Sequence, residues 1–134
     1  MWRWPCCGMR GLQIMIRPII ATKNPYDAAA DFQKCGWNID FMTPADGDDP
    51  LAGVSLWGNK LLLGVMDEKY VDRDAVPYIG AGVEFHIVIP ADKIQEVYEN
   101  HSVLSPTKLE KQPWGEVGFK FKIQGYKFMI LAQI

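Results

Sequence analysis

The chain has 134 residues, 49% of them hydrophobic, and a formal net charge of −2. That length supports one domain, or two half-domains sharing a core. The charge argues against a nucleic-acid backbone as partner. No apolar run reaches the roughly 18 residues of a membrane span, because Arg17 and Pro18 interrupt the best one.

Residues 1–13 differ from the rest and read as an N-terminal extension. They carry Trp2, Trp4, Arg3, Arg10 and the adjacent Cys6 and Cys7, without an apolar stretch long enough for a secretion signal. Trp2 or Trp4 is expected to dock on the body of the protein or on a partner chain. Three cysteines, an odd number without a CxxC pair, make a poor disulfide framework and point to a reducing, cytoplasmic setting.

Ile14 to Thr22 is a short β-branched run and reads as a strand. Asn24-Pro25 has the form of a helix N-cap followed by proline at the first helical position, with Asp27 in the first turn. The helix continues to Lys34 and Gly36 ends it. Trp37 to Met42 alternates as a strand, and 43–50 is a polar turn region. Leu51 to Trp57 and Lys60 to Met66 are predicted to form a hairpin around Gly58-Asn59. Residues 67–82 form a linker. The same order then returns: a strand over Val83–Ile89, a helix over Pro90–Asn100, a weak strand over Ser105–Lys111 split by Pro106, and a hairpin of Glu116–Ile123 with Tyr126–Gln133.

The second half matches the first at an offset of 67 residues. Gly58 and Lys60 meet Gly125 and Lys127, and Val54 and Leu56 meet Phe121 and Ile123. A repeat of this size means two copies of one supersecondary module. The predicted fold class is therefore α+β: two strand-helix-strand-strand-strand modules, about 14–66 and 83–133, forming curved mixed sheets around a cleft within one domain over 14–134. Strand alternation puts Val83, Phe85, Ile87 and Ile89 under the helix, and turns Glu84, His86 and Val88 the other way. Arg17 and Ile19 are expected to face away from the first helix.

The candidate polar groups are few. His86 lies on a strand, where a hydrogen-bonded structural role competes with a ligand contact. His101 follows the second helix, a position expected to be solvated. No phosphate loop or nucleophile elbow occurs, and Asp46-Gly47-Asp48-Asp49 lacks calcium-loop spacing. The aromatic residues say more. Trp57 at a strand end and Trp114 at a strand entrance are placed to line a cleft, where their faces suit flat or cationic organic ligands.

The doubled element order, together with Pro25-Tyr26-Asp27-Ala28-Ala29-Ala30-Asp31-Phe32, Gln112-Pro113-Trp114-Gly115 and Leu131-Ala132-Gln133, resembles the vicinal oxygen chelate superfamily, and most closely its bleomycin resistance-like branch. Enzymes of that superfamily hold a divalent metal through His and Glu on four strands. On the register read from the sequence those positions are Arg17, Leu63, Glu84 and Ile130. Only Glu84 is a donor there, and zinc and transition metals want three or four. The resemblance therefore implies a member with no metal and no other cofactor, more a binding protein than an enzyme. It implies sequestration of a hydrophobic or aromatic compound, such as an antibiotic, in a homodimer, with neither nucleic acid nor membrane as partner. Trp57 and Trp114 would stack on the ligand, and Leu63, Phe128 and Ile130 would supply apolar wall. Arg17, Glu84 and His86 would fix polar groups, with Arg17 and Glu84 paired across the cleft. The competing readings are a metal-dependent lyase, glutathione or thiol transferase or dioxygenase of the same superfamily, and an interaction module whose dimer surface is its purpose.

Overall fold

The first module of the computed structural model, which describes residues 15–133, runs β1 (Ile19–Thr22), α1 (Pro25–Lys34), β2 (Asn38–Met42), β3 (Ala52–Leu56) and β4 (Asn59–Val65). The second runs β5 (Glu84–Ile89), α2 (Ile94–Asn100), β6 (Glu110–Lys111), β7 (Val117–Ile123) and β8 (Tyr126–Ala132). Expectations for Trp2, Trp4, Cys6, Cys7 and Ile14 lie outside the described residues. Each module is a four-stranded mixed sheet, ordered β1-β4-β3-β2 and β5-β8-β7-β6. β1 and β5 run parallel to their neighbours, and the other pairs are antiparallel.

The duplication holds down to single residues. Ile20 lies beside Leu63 and Ile87 beside Ile130. Ala52 pairs with Leu63, and Phe119 with Ile130. Every one of these partners is displaced by the offset that the sequence shows.

α1 forms where the sequence places it. Asn24 Oδ1 accepts the backbone N–H groups of Tyr26 (2.9 Å) and Asp27 (3.2 Å), and Pro25 opens the helix. Its buried face is Ala28, Ala29 and Phe32. The boundaries elsewhere shift for local reasons. Among the described residues β1 begins only at Ile19, after Pro18, which has no N–H to give a ladder. The second helix starts as a tight 3-10 turn over Ala91–Lys93. β6 shrinks to two residues because Thr107 uses its hydroxyl as well as its N–H to hold Lys120 next door.

The first hairpin turns at Trp57-Gly58, not Gly58-Asn59; Asn59 already pairs with Leu56. Both turn residues have positive φ, +49° and +84°, and the second hairpin repeats this at Gln124 (+54°) and Gly125 (+83°). Two positive φ values suit the twist of a two-residue hairpin. The shift moves the β3–β4 pairing by two residues, so that Leu63 meets Ala52 and not Val54, and leaves every side chain on its face. Leu63 and Ile130, expected as cleft wall, instead face the helices and are fully buried, while Leu62 and Met129 take the opposite faces. Arg17 lies exposed ahead of β1.

One core serves both modules. Ile20, Leu61, Leu63, Val54 and Phe32 of the first pack in the same cluster as Phe119, Phe121, Phe128, Ile130 and Val97 of the second. Phe128 is its centre, stacked on Phe121 (5.4 Å between ring centroids) and Phe85 (5.0 Å) and edge-on to Phe32 (5.9 Å) and Trp37 (6.1 Å). His101 is buried beside it. Trp37 Nε1 donates to His101 Nε2 at 3.0 Å, and His101 Nδ1 lies 2.7 Å from the Val97 carbonyl. An indole N–H only donates and a carbonyl only accepts, so the imidazole is neutral with its proton on Nδ1. This overturns the solvated position expected for His101.

Two further bonds tie the modules and are equivalent under the repeat. The Tyr126 hydroxyl accepts from Ala21 N and donates to Ala21 O, both at 3.1 Å, on the edge of β1. Asn59, the counterpart of Tyr126, donates to Val88 O at 3.0 Å on the edge of β5. Burial raises the Tyr126 pKa, partly offset by the bond to Ala21. Tyr126→Phe leaves the buried Ala21 amide without its partner, and we expect a loss of about 1–3 kcal/mol in urea unfolding. A change below about 0.5 kcal/mol would show that this bond does not hold the modules together.

Candidate functional site

The faces turned away from the helices differ between the modules. In the first, the face is largely filled from within. Phe41 lies over Gly53 and Tyr70 over Gly64, at positions where a Cβ would collide with their rings. Tyr70 is held there by its hydroxyl, which donates to Asp49 at 3.0 Å, while Asp40 accepts from Ser55 at 2.8 Å. Phe41 shares this face with Asp40 because of an irregularity in the β2–β3 pairing between Ile39 and Phe41.

In the second module the face stays polar and accessible. β5 contributes Glu84 and His86, β8 contributes Lys127 and Met129, and β7 contributes Lys120 and Lys122, in rows fixed by the ladder. Glu84 Oε1 lies 3.4 Å from His86 Nε2 and 3.7 Å from Lys120 Nζ. Glu84 therefore pairs within its own sheet, not with Arg17 across a cleft. Trp114, 53% exposed, lies nearly parallel to the His86 imidazole, with centroids 6.5 Å apart and planes 17° apart. Its Nε1 donates to Glu116 at 2.6 Å, which fixes the ring's orientation. Met129 and Leu131 are buried on this same face and give it an apolar floor.

Two hollows flank the Glu84–His86 pair. One, of about 340 Å³, lies between the modules and is lined by Trp37, Leu61, Phe85, His86, Ile87 and Phe128, with Met15, Ile16, Asn59 and Lys60 at its border. The other, of about 570 Å³, is lined by Glu84, the three lysines 120, 122 and 127, Leu104, Ser105, Thr107 and the rings of Phe121 and Phe128.

The structure thus brings together Glu84, His86 and Trp114, with Phe128 behind them. It leaves the other predicted site residues apart. Trp57 is exposed at its turn, with Lys93 Nζ 5.7 Å from the ring centroid, and lines a separate shallow hollow with Gly36, Asn38 and Leu56. Sequence reading missed Lys120 and Met129. A lysine on an exposed strand position carries no signal of its own, and Met129 was passed over for its neighbour Ile130, which the superfamily register put on the cleft.

The donor set does not fit a divalent ion. Glu84 and His86 are close together, but the Lys120 ammonium shares the Glu84 oxygen, and their other neighbours in the ladder on that face, Val88, Lys122, Lys127, Met129 and Leu131, add no carboxylate, imidazole or thiolate. Among the described residues no group of three His, Cys, Asp or Glu could hold a metal. Also among them, no helix is long and apolar enough to cross a membrane.

Two four-stranded mixed sheets, each built as strand-helix-strand-strand-strand and joined around one core, define a duplicated α+β protein with a polar face on one half. Solved structures share this fold. A bleomycin-binding protein complexed with bleomycin superposes with a TM-score of 0.63 at 14% identity, covering 91% of this chain and all of its own. A glyoxalase/bleomycin resistance protein/dioxygenase superfamily member from Sphaerobacter thermophilus gives 0.64 at 16%, covering 91% and 99%. The fosfomycin resistance protein of Listeria monocytogenes complexed with Mn(II) gives 0.64 at 12%, covering 92% and 94%. The chain has the fold of the glyoxalase/bleomycin resistance protein/dioxygenase superfamily. No protein-family model and no curated protein sequence matches it.

Proposed function

We propose that this protein binds a small organic compound with a flat apolar portion on the open face of its second module, and does so without a metal. The observation that carries this reading is the Trp114 ring, half exposed and held nearly parallel to His86, which itself lies 3.4 Å from Glu84. An indole fixed in this way offers a stacking surface at little cost in ordering. Glu84 and His86 then orient the ligand's polar groups. The bleomycin complex of a protein with the same fold supports sequestration of an antibiotic-like compound as the role. A homodimer fits this reading. Ile19, Phe41 and Met42 are exposed large apolar side chains of the first module, and a second copy would both cover them and deepen the cleft.

The test is a fluorescence titration against a panel of aromatic antibiotics, with thermal shift alongside. Trp114→Ala is expected to weaken any hit by about tenfold or more, in line with the 0.5–1.5 kcal/mol of an aromatic pair plus lost buried area. Unchanged affinity would remove Trp114 from the site, and unchanged affinity in Glu84→Gln would remove Glu84. Metal analysis of the purified protein separates this reading from a metal-dependent enzyme: a stoichiometric bound ion would favour the enzyme.

A further inference from the structure

The 570 Å³ hollow beside Glu84 has an uneven charge that the ligand reading above does not use. Lys120 is neutralised by Glu84 at 3.7 Å. Lys122 and Lys127 also line the hollow, and among the described residues neither has a carboxylate within 4.0 Å. They are directly opposite each other on β7 and β8. Like charges facing across an antiparallel pair are destabilising, with Cβ atoms about 5 Å apart. Glu84 lies next to Lys127 in the ladder, yet it is turned toward His86 and Lys120. The sheet therefore carries a repulsive pair beside a carboxylate that does not relieve it.

The opposite wall of the hollow adds donors. Ser105 and Thr107 line it. Ser105, at φ +52°, is the left-handed cap that ends the 3-10 turn Ser102–Leu104. Phe121, Phe128 and Leu104 complete the lining with apolar surface.

The geometry points to this hollow as a subsite for an oxyanion, a phosphate or carboxylate, carried on a compact apolar body, with Lys122 and Lys127 as the charge partners and Ser105 and Thr107 as hydroxyl donors. It rests on the ligand reading above and sharpens it, since the compound held on Trp114 then carries an anionic end. A charge-assisted bond from each lysine would turn the repulsion between them into a shared grip.

The probes are inorganic phosphate and benzoate, titrated by thermal shift at constant ionic strength with chloride as the reference. A ligand that binds the folded state raises the midpoint with the logarithm of its concentration over its dissociation constant. Expected is a saturable rise with one or both probes, and its loss in the double variant Lys122→Gln/Lys127→Gln. Both positions are exposed, so that variant is expected to fold, with an unliganded midpoint equal to or above that of the parent. Tighter phosphate binding would identify a phosphate ester as the source of the charge, and tighter benzoate binding a carboxylate. A rise no larger than with chloride, or one that the double variant retains, overturns the subsite. Trp114→Ala distinguishes the two proposals. It is expected to keep the phosphate response while losing aromatic ligands, so either property can fail without the other.

Discussion

His101→Ala is expected to lower the free energy of unfolding by about 3 kcal/mol, one of the two largest single-residue losses in the chain. The side chain is fully buried and contacts Phe119 and Phe121 as well as Trp37. Truncation opens a cavity and leaves two polar groups, the Trp37 N–H and the Val97 carbonyl, without partners. The same residue makes stability depend on pH. Burial holds its pKa below the ordinary 6.5, only partly opposed by the bond to Val97. The unfolded chain thus takes up a proton near 6.5 that the folded chain refuses. The contribution is complete above that value and is lost progressively as pH falls below it, because proton uptake then favours unfolding. Urea unfolding between pH 7.5 and 5 is the measurement. His101→Gln, which keeps an acceptor for Trp37 but cannot be protonated, is expected to flatten the slope. An unaltered slope in that variant would place the titrating group elsewhere.

Phe128→Ala is expected to cost about 3–5 kcal/mol, because one ring holds four aromatic neighbours from both modules. For a domain of this size that corresponds to a fall in midpoint on the order of 10 °C or more. Phe128 also lines both hollows that flank the Glu84–His86 pair. Calorimetry would therefore show a single broadened transition if the modules stay coupled, and two transitions if this ring is what couples them.

The duplicated architecture was legible because the two hairpins retain matching residues at one spacing, and hydrophobic alternation on β5 correctly separated Glu84 and His86 from Phe85 and Ile87. Leu63 and Ile130 were set on the cleft as the superfamily's metal positions, whereas the ladder turns their neighbours Leu62 and Met129 that way. The first turn differs for a separate reason, since Gly-Asn is a common hairpin pair whereas a tryptophan at φ +49° is rare. His101 carried no local signal. Its polar partner Trp37 lies 64 residues away, and its burial follows from how the modules dock. The charged partner of Glu84 was equally hidden, because Arg17 is its equivalent by repeat while Lys120 is its neighbour only through strand pairing. Periodicity reports which side of a strand a residue takes. It does not report which side chain two strands away will reach it.

The paired contacts of Tyr126 with Ala21 and of Asn59 with Val88 have a consequence for solubility. Each places a side chain against the outer rim of a strand that would otherwise offer bare amides and carbonyls to any passing chain. Such rims seed strand-by-strand polymerisation in proteins that leave them open. Here a phenol and a carboxamide act as stoppers on β1 and β5, so the contacts that join the halves also cover one rim of each sheet.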